Sequence, residues 1–236
     1  MRETAMERKS KEHLVVTREV VIPVENKKLA GILTIPNEAQ GLVVFVHGSG
    51  SSRLSPRNRF VAEALNRAGL ATLLFDLLTT QEERVDICTA QLRFDIDFLA
   101  KRVSDVFKWL KRNELTKHLP IGYFGASTGA AAAIVSAAQN PSEIHAIVSR
   151  GGRPDLAGYF LQRTESPTLF IVGQNDHEVI ELNKQAFIYL PESTPKSMAI
   201  VPRATHLFEE PGTLESVCDL ACGWFATYLK RTVNAA

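Results

Sequence analysis

Gly125-Ala126-Ser127-Thr128-Gly129-Ala130 is the stretch of sequence that decides the fold. It lies between the apolar run 119–124 and the alanine-rich run 130–138, a pattern that indicates a strand, a tight turn and a helix. In this setting G-x-S-x-G is typical of a nucleophile elbow, which lifts a serine hydroxyl above the edge of a sheet. We expect both glycines to leave room where strand and helix meet, and the helix N-terminus to favour negative charge near the serine. An ordinary glycine-serine turn is the alternative interpretation.

Length and composition limit the class of protein. The chain has 236 residues, 45% of them hydrophobic, with a formal net charge of +1. These values predict a flexible N-terminal segment, residues 1–13, followed by a single α/β domain, residues 14–236. The balanced charge gives no electrostatic reason to expect nucleic acid or an anionic membrane as a partner.

The same sequence predicts a cytoplasmic location. Residues 1–13 are charged and lack the apolar core of a signal peptide, and no apolar run reaches the length of a membrane span. Three cysteines form no even disulfide framework, which fits a reducing compartment.

Hydrophobic periodicity predicts about eight strands that alternate, in the later part of the chain, with helices. The predicted strands are 14–24, 29–36, 42–46, 70–75, 120–124, 144–149, 168–172 and 197–201. The predicted helices are 56–68, 92–113, 128–139, 179–189 and 212–230, and residues 77–90 are predicted to form a loop. Such alternation predicts a mostly parallel sheet with helices on both faces, and the first hairpin supplies an antiparallel edge.

Three candidate catalytic residues each follow a different predicted strand. Ser127 follows the fifth strand, Asp176 the seventh and His206 the eighth, and active residues of such sheets gather at the carboxyl ends of strands. A serine hydroxyl needs a base to take its proton, and histidine titrates near neutral pH. A carboxylate then holds the imidazole in the correct tautomer. We therefore predict Ser127 as nucleophile, His206 as base and then acid, and Asp176 as the orienting carboxylate.

Other side chains compete for these roles. His47 and His177 are alternative bases, but we expect His47 to brace its own loop and His177 to be solvated. Glu178 and Asp155 are alternatives to Asp176, although Asp176 lies nearer the end of its strand. No H-E-x-x-H or comparable ligand spacing occurs, so we predict no metal site.

Two loops are predicted to supply the oxyanion hole. The first donor is the backbone N–H of Thr128, the residue after the nucleophile, and the second is the N–H of Ser49 in the loop 47–50. A flexible glycine-serine loop is the alternative for residues 47–50. This loop lacks the glycine spacing of nucleotide-binding motifs, so we predict no cofactor.

With these stretches in place, the chain resembles the α/β-hydrolases, and within them the dienelactone-hydrolase-like branch. The matching stretches are 47–53, 125–129, 173–176 and 204–206, and the resemblance extends over about residues 14–230. It implies the α/β-hydrolase fold and a Ser-His-Asp hydrolase acting on small-molecule esters. Dienelactone hydrolases proper carry a cysteine where this chain has Ser127, which points to a general serine esterase.

The segment between the sixth and seventh strands predicts an open, shallow site. Residues 150–167 have room for a short helix around 156–162 but not for the large helical cap of many relatives. We expect the site to be lined by Leu77, Leu78 and Tyr159. Three arginines near its rim would attract a substrate carboxylate or form ordinary ion pairs: Arg53, Arg150 and Arg153.

The sequence leaves three functions open. The first is a serine hydrolase that cleaves small esters, thioesters or lactones. The second is a binding or signalling protein with a very slow triad on the same scaffold, because a fold does not determine a function. The third is acyl transfer or peptide cleavage with the same residues. The oligomeric state is also open.

Overall fold

An eight-stranded sheet forms the centre of the computed structural model, which describes residues 15–230. In chain order its strands are β1 Val15–Val24, β2 Lys27–Pro36, β3 Leu42–Val46, β4 Ala71–Phe75, β5 Ile121–Ala126, β6 Ile144–Arg150, β7 Thr168–Gly173 and β8 Lys196–Val201. They lie side by side in the order β1-β2-β4-β3-β5-β6-β7-β8. β2 is antiparallel to both β1 and β4, and all other neighbours are parallel. The predicted sheet is confirmed.

Helices cover both faces of this sheet, as predicted. They are α1 Pro56–Arg67, α2 Thr80–Thr89, α3 Ile96–Arg112, α4 Thr128–Gln139, α5 His177–Tyr189 and α6 Thr213–Tyr228, with 3₁₀ helices at Leu92–Phe94 and Pro154–Arg163. α1 and α6 share one hydrophobic core with the sheet, and α3, α4 and α5 share the other. None of the helices within residues 15–230 is both long enough and apolar enough to cross a membrane.

Burial on two faces explains the apolar central strands. Every residue of β3, β4 and β5 is buried, so these strands have no polar side to alternate with the apolar one. α4 is buried over residues 128–138, and its alanines let the helix axis approach the sheet closely. This close approach brings the start of α4 against the end of β3, where the candidate site lies.

The prediction of a loop over residues 77–90 is wrong, because residues 80–89 form α2. This helix buries only Asp86, so it shows no apolar stripe that periodicity could detect. A capping box starts it: Thr79 Oγ1 accepts from the Glu82 N–H at 3.2 Å, and Glu82 Oε2 accepts from the Thr79 N–H at 2.8 Å. The T-x-x-E pattern of this box was the available signal.

The chain between β6 and β7 forms only the 3₁₀ helix Pro154–Arg163, which is kinked at Gly158. The absence of a large cap is therefore confirmed for the described residues. The predicted flexible segment 1–13 lies outside the described residues, so the boundary at residue 14 stays a prediction.

Candidate active site

Ser127 lies at the strained turn between β5 and α4. Its backbone has φ 50° and ψ −126°. Residues other than glycine rarely adopt this conformation, and those that do are often found at functional sites. A Cβ added to Gly129 would lie 2.1 Å from the Val46 carbonyl oxygen, and one added to Gly125 would lie 2.5 Å from the Ala130 Cα. The predicted steric role of both glycines is confirmed, and the turn holds the serine at the N-terminus of α4.

Asp176 and His206 are joined by a hydrogen bond. Asp176 follows β7 as the N-cap of α5, and His206 lies in the turn after the neighbouring parallel strand β8. The two loops therefore meet, and the distance from His206 Nδ1 to Asp176 Oδ2 is 2.7 Å. Nδ1–H donates to the carboxylate, so Nε2 remains the basic nitrogen of the neutral ring.

The loop 151–153 contacts both Ser127 and His206. The N–H of Arg153 donates to the Ser127 carbonyl oxygen at 3.0 Å, and a Cβ added to Gly151 would lie 3.6 Å from His206 Cε1. Within residues 15–230 the Ser127 hydroxyl makes no hydrogen bond to His206. Such a bond is often long in a free enzyme and shortens when substrate binds.

The two residues predicted for the oxyanion hole contact each other. The N–H of Ser49 donates to Thr128 Oγ1 at 3.2 Å, and the two hydroxyl oxygens are 3.1 Å apart. Thr128 is the first residue of α4, so its own N–H has no partner inside the helix. The loop after β3 therefore contacts the start of α4, next to Ser127, and the oxyanion hole stays a prediction.

His47 braces its loop, as predicted. Its Nδ1–H donates to the Gly48 carbonyl oxygen at 3.0 Å, and its Nε2 accepts from the Leu77 N–H at 3.0 Å. Burial lowers the pKa of His47, although the hydrogen bond to Gly48 and the charges of Asp76 and Glu83 act in the opposite direction. The ring is therefore neutral at pH 7, in agreement with its acceptor role.

The remaining rivals lie apart from these contacts. His177 and Glu178 are exposed in the first turn of α5. Asp155 accepts two hydrogen bonds from the Arg153 guanidinium, at 2.9 and 2.8 Å. Among the described histidines and carboxylates, Asp176 and His206 form the one direct carboxylate–imidazole pair.

A cavity of about 280 Å³ opens beside Ser49 and Thr128. Leu77 and Leu78, predicted as lining residues, do line it. Tyr159 lines a different cavity, against α5, so its place in the candidate site stays a prediction. It follows the kink at Gly158, which turns the second half of the 3₁₀ helix toward that helix.

Arg53 and Arg153 form ion pairs, which is one of the two roles that the sequence left open for them. The guanidinium of Arg53 pairs with Asp76, and its backbone N–H also donates to Asp76 Oδ1 at 2.8 Å. Arg153 forms a bidentate ion pair with Asp155. Both guanidinium groups are already paired with carboxylates of this chain, so neither is free to bind a substrate carboxylate.

Arg150 is buried and does not lie on the rim. Its Nη2 donates to Asn58 Oδ1 at 3.5 Å, and its guanidinium carbon lies 5.6 Å from the centre of the Phe208 ring. Burial, followed by repulsion from Arg57, lowers the pKa of Arg150 to about 10. This side chain therefore packs beneath the turn that carries His206.

Sequence reasoning missed the wall that α2 and the following 3₁₀ helix contribute to the cavity. Asp86 Oδ2 accepts from Arg93 Nε at 2.6 Å, and Asp86 Oδ1 accepts from the Leu92 N–H at 2.7 Å. Burial raises the pKa of Asp86, but hydrogen bonds from Arg93 and Leu92 outweigh it and the pKa is lowered overall. The cavity-lining residues absent from the prediction include Glu83, Asp86, Ile87, Arg93 and Leu99.

Metal ligands are not clustered in the described part of the chain. Between residues 15 and 230, no group of three or more histidine, cysteine, aspartate or glutamate side chains is arranged to hold a metal ion.

Comparison with known proteins agrees with this fold. A family model described as alpha/beta hydrolase fold matches residues 41–160. The chain belongs to the α/β-hydrolases. The crystal structure of a dienelactone hydrolase from Anabaena variabilis ATCC 29413 is 54% identical to this α/β-hydrolase, with a TM-score of 0.90, over 92% of this chain and 100% of the other. The resemblance to the dienelactone-hydrolase-like branch is confirmed.

Two further similarities carry less information about function. The α/β-hydrolase is 56% identical over 201 residues to a proposed phosphoribosyl transferase of Mycobacterium tuberculosis, matched in strains CDC 1551 and H37Rv. The match covers 85% of this chain but 44% of the relative, so the chain spans less than half of that protein's length. Est1E from Butyrivibrio proteoclasticus has a TM-score of 0.73 at 17% identity, over 89% of this chain and 98% of that one, which shows the shared fold.

Proposed function

We propose that this α/β-hydrolase is a serine hydrolase that cleaves small carboxylic esters through an acyl-enzyme. The observation that carries the proposal is the 2.7 Å hydrogen bond between Asp176 and His206, at the sheet edge where the strained elbow presents Ser127. Thioesters and lactones offer the same electrophilic acyl carbon and belong to the same proposed substrate class. The proposal assigns the nucleophile to Ser127, the base to His206 and the orienting role to Asp176.

In the first step, Ser127 Oγ attacks the acyl carbon while His206 Nε2 takes the hydroxyl proton. Asp176 favours this transfer because its carboxylate accepts from Nδ1–H and stabilises the imidazolium that forms. The new oxyanion lies near the N–H groups of Ser49 and Thr128. For Ser49 this means exchanging its present acceptor, Thr128 Oγ1, for the substrate oxygen.

In the second step, the imidazolium of His206 gives its proton to the leaving alcohol, and the acyl-enzyme remains on Ser127. A water molecule then attacks the acyl carbon while His206 takes a proton from it. The bond between the acyl carbon and Ser127 Oγ breaks, His206 returns the proton to Ser127 Oγ, and the carboxylic acid leaves. The positive N-terminus of α4 favours the negative charge of both tetrahedral intermediates. No cofactor enters these steps.

The names of the relatives bear on this proposal to different degrees. A dienelactone hydrolase hydrolyses an ester bond, and that structure matches this chain over nearly its whole length. We carry no phosphoribosyl transfer to this chain, because that name belongs to a protein of which the chain spans 44%.

The experiment that tests the proposal is active-site labelling combined with turnover. We expect a fluorophosphonate probe to label the protein in a one-to-one ratio, and 4-nitrophenyl acetate to give a burst followed by many turnovers. Ser127→Ala should abolish labelling and lower kcat roughly 10⁴- to 10⁶-fold, because triad members act as a unit. His206→Ala should lower kcat by a similar factor, and combining both changes should add little.

Ser51→Ala is the matched control, because Ser51 is a serine of the same cavity outside the proposed triad. This variant should keep one-to-one labelling, because the proposed nucleophile is untouched. Labelling that persists in Ser127→Ala, or the loss of one-to-one labelling from Ser51→Ala instead, would contradict the proposal. A protein that binds the ester and turns over less than once would favour a binding role on this scaffold.

A further inference from the structure

Four apolar side chains are among the residues that line the cavity beside Ser49 and Thr128. Leu77, Leu78 and Leu99 line it together with Ile87 of α2. Its volume of about 280 Å³ is just below the range of about 300–1,000 Å³ that is usual for small-molecule sites. A cavity of this size and lining, next to the proposed oxyanion donors, suits a short acyl group rather than a long chain.

The charged side chains around this cavity are not balanced. Asp76 is neutralised by Arg53, and Asp86 is neutralised by Arg93. Glu83 also lines the cavity, and among the described residues it pairs with no lysine or arginine. The wall therefore carries an excess negative charge, and that charge belongs to Glu83.

Glu83 is exposed to solvent but lies within electrostatic range of the loop that carries Ser49. His47, which braces the loop carrying Ser49, is one of the groups that the carboxylate of Glu83 influences through space. Arg53, Arg93 and Arg153 do not offset this charge, because each is held by an aspartate. Arg84, which follows Glu83 on α2, is exposed and is not one of the residues that line the cavity. A substrate carboxylate in the cavity would lose water and meet a like charge, and both effects are unfavourable.

We propose that this cavity selects short, uncharged acyl groups and discriminates against acyl groups that carry a carboxylate, with Glu83 as a specificity-determining residue. The inference rests on the proposed function, since it takes the cavity to be the acyl site of the Ser127 hydrolase. The proposal excludes one of the two roles that the sequence left open for the rim arginines, the attraction of a substrate carboxylate.

Two esters of nearly equal shape test this inference. The first is mono(4-nitrophenyl) succinate, which carries a carboxylate, and the second is 4-nitrophenyl 4-oxopentanoate, in which a methyl ketone replaces that carboxylate. We expect kcat/KM for the neutral ester to exceed that for the anionic ester by about tenfold or more. In Glu83→Gln this ratio should fall about threefold, because one like charge near the acyl group is removed.

Glu165→Gln is the matched control. It removes the same charge from an exposed glutamate just before β7, at the opposite edge of the sheet, and should leave the ratio unchanged. Equal or faster hydrolysis of the anionic ester, or equal ratios in Glu83→Gln and Glu165→Gln, would overturn the inference while leaving the hydrolase intact. If neither ester is hydrolysed and Ser127 is not labelled, the proposed function fails and the inference fails with it.

Discussion

The two walls of the candidate site are built in different ways. One wall is the elbow of residues 125–130 together with the loop 47–50, and the other is the segment 77–94 that contains α2. The first is held by backbone packing so close that Gly129 has no room for a Cβ. The second is mostly exposed and is held by a capping box and by the ion pair between Asp86 and Arg93.

This difference separates the proposed chemistry from the proposed selectivity. Backbone packing against β3 positions Ser127 within a narrow range, which an attack on an acyl carbon requires. Side-chain pairs on a short exposed helix tolerate substitution more readily, so α2 can vary in charge and shape while the elbow stays the same. The comparison predicts large effects from changes in the first wall and moderate effects from changes in the second.

The largest effect is expected from Gly129→Ala. The added Cβ would lie 2.1 Å from the Val46 oxygen and 2.4 Å from the His47 oxygen, so the backbone must move. We expect the free energy of unfolding to fall by about 3 kcal/mol or more, with loss of fluorophosphonate labelling. Chemical denaturation and labelling measure the two effects.

Gly223→Ala in α6 is the control for that change. An added Cβ there meets nothing within 4 Å, and a helix gains from replacing glycine by alanine. The free energy of unfolding should rise by about 0.5–1 kcal/mol. If both alanine variants behave alike, close packing is not what holds the elbow.

A moderate effect is expected from Arg93→Gln in the second wall. The buried carboxylate of Asp86 would lose its charged donor, so the free energy of unfolding should fall by about 1–3 kcal/mol. Labelling of Ser127 should persist, because the elbow is untouched. The value of kcat/KM for ester substrates should fall, because the wall of the cavity is disturbed.

Arg84→Gln on the same helix is the matched control, since Arg84 is exposed and lies outside the ion pairs of residues 15–230. Its effect on stability should stay within about 0.5 kcal/mol. Equal stability of the Arg84 and Arg93 variants would show that the ion pair does not hold this wall.

The smallest effect near neutral pH concerns His47. Because burial lowers the pKa of His47 below its ordinary value of 6.5, the unfolded chain binds a proton that the folded chain does not as pH falls below 6.5. The contribution of His47 to the free energy of unfolding therefore rises with pH up to about 6.5 and is constant above that pH. The measurement is the free energy of unfolding between about pH 5 and pH 8.

His47→Gln should give a shallower slope in the acid part of that range, whatever its stability at pH 8. His118→Gln serves as the control, because His118 is exposed on the surface. Parallel pH profiles for the wild type and His47→Gln would refute the assignment.

Local sequence was sufficient to predict much of this molecule. The eight strands, the helices on both faces and the steric need for glycine at 125 and 129 all follow from patterns within a few residues of each other. Burial on both faces makes the central strands continuously apolar, and a tight turn restricts which residues fit. The turn after His47 was also predictable from local sequence, because residues 48–51 are two glycines and two serines.

The tertiary structure alone decided the lining and the charge of the cavity. α2 has no apolar stripe, because it packs through Asp86 and its cap, so periodicity could not reveal it. The partners of Arg53 and Arg93 depend on distances between side chains across turns and neighbouring strands, which a one-dimensional pattern does not contain. Thus the sequence by itself determined the scaffold and the candidate serine, because backbone sterics and burial are local, whereas charge compensation at the site is a property of the folded chain.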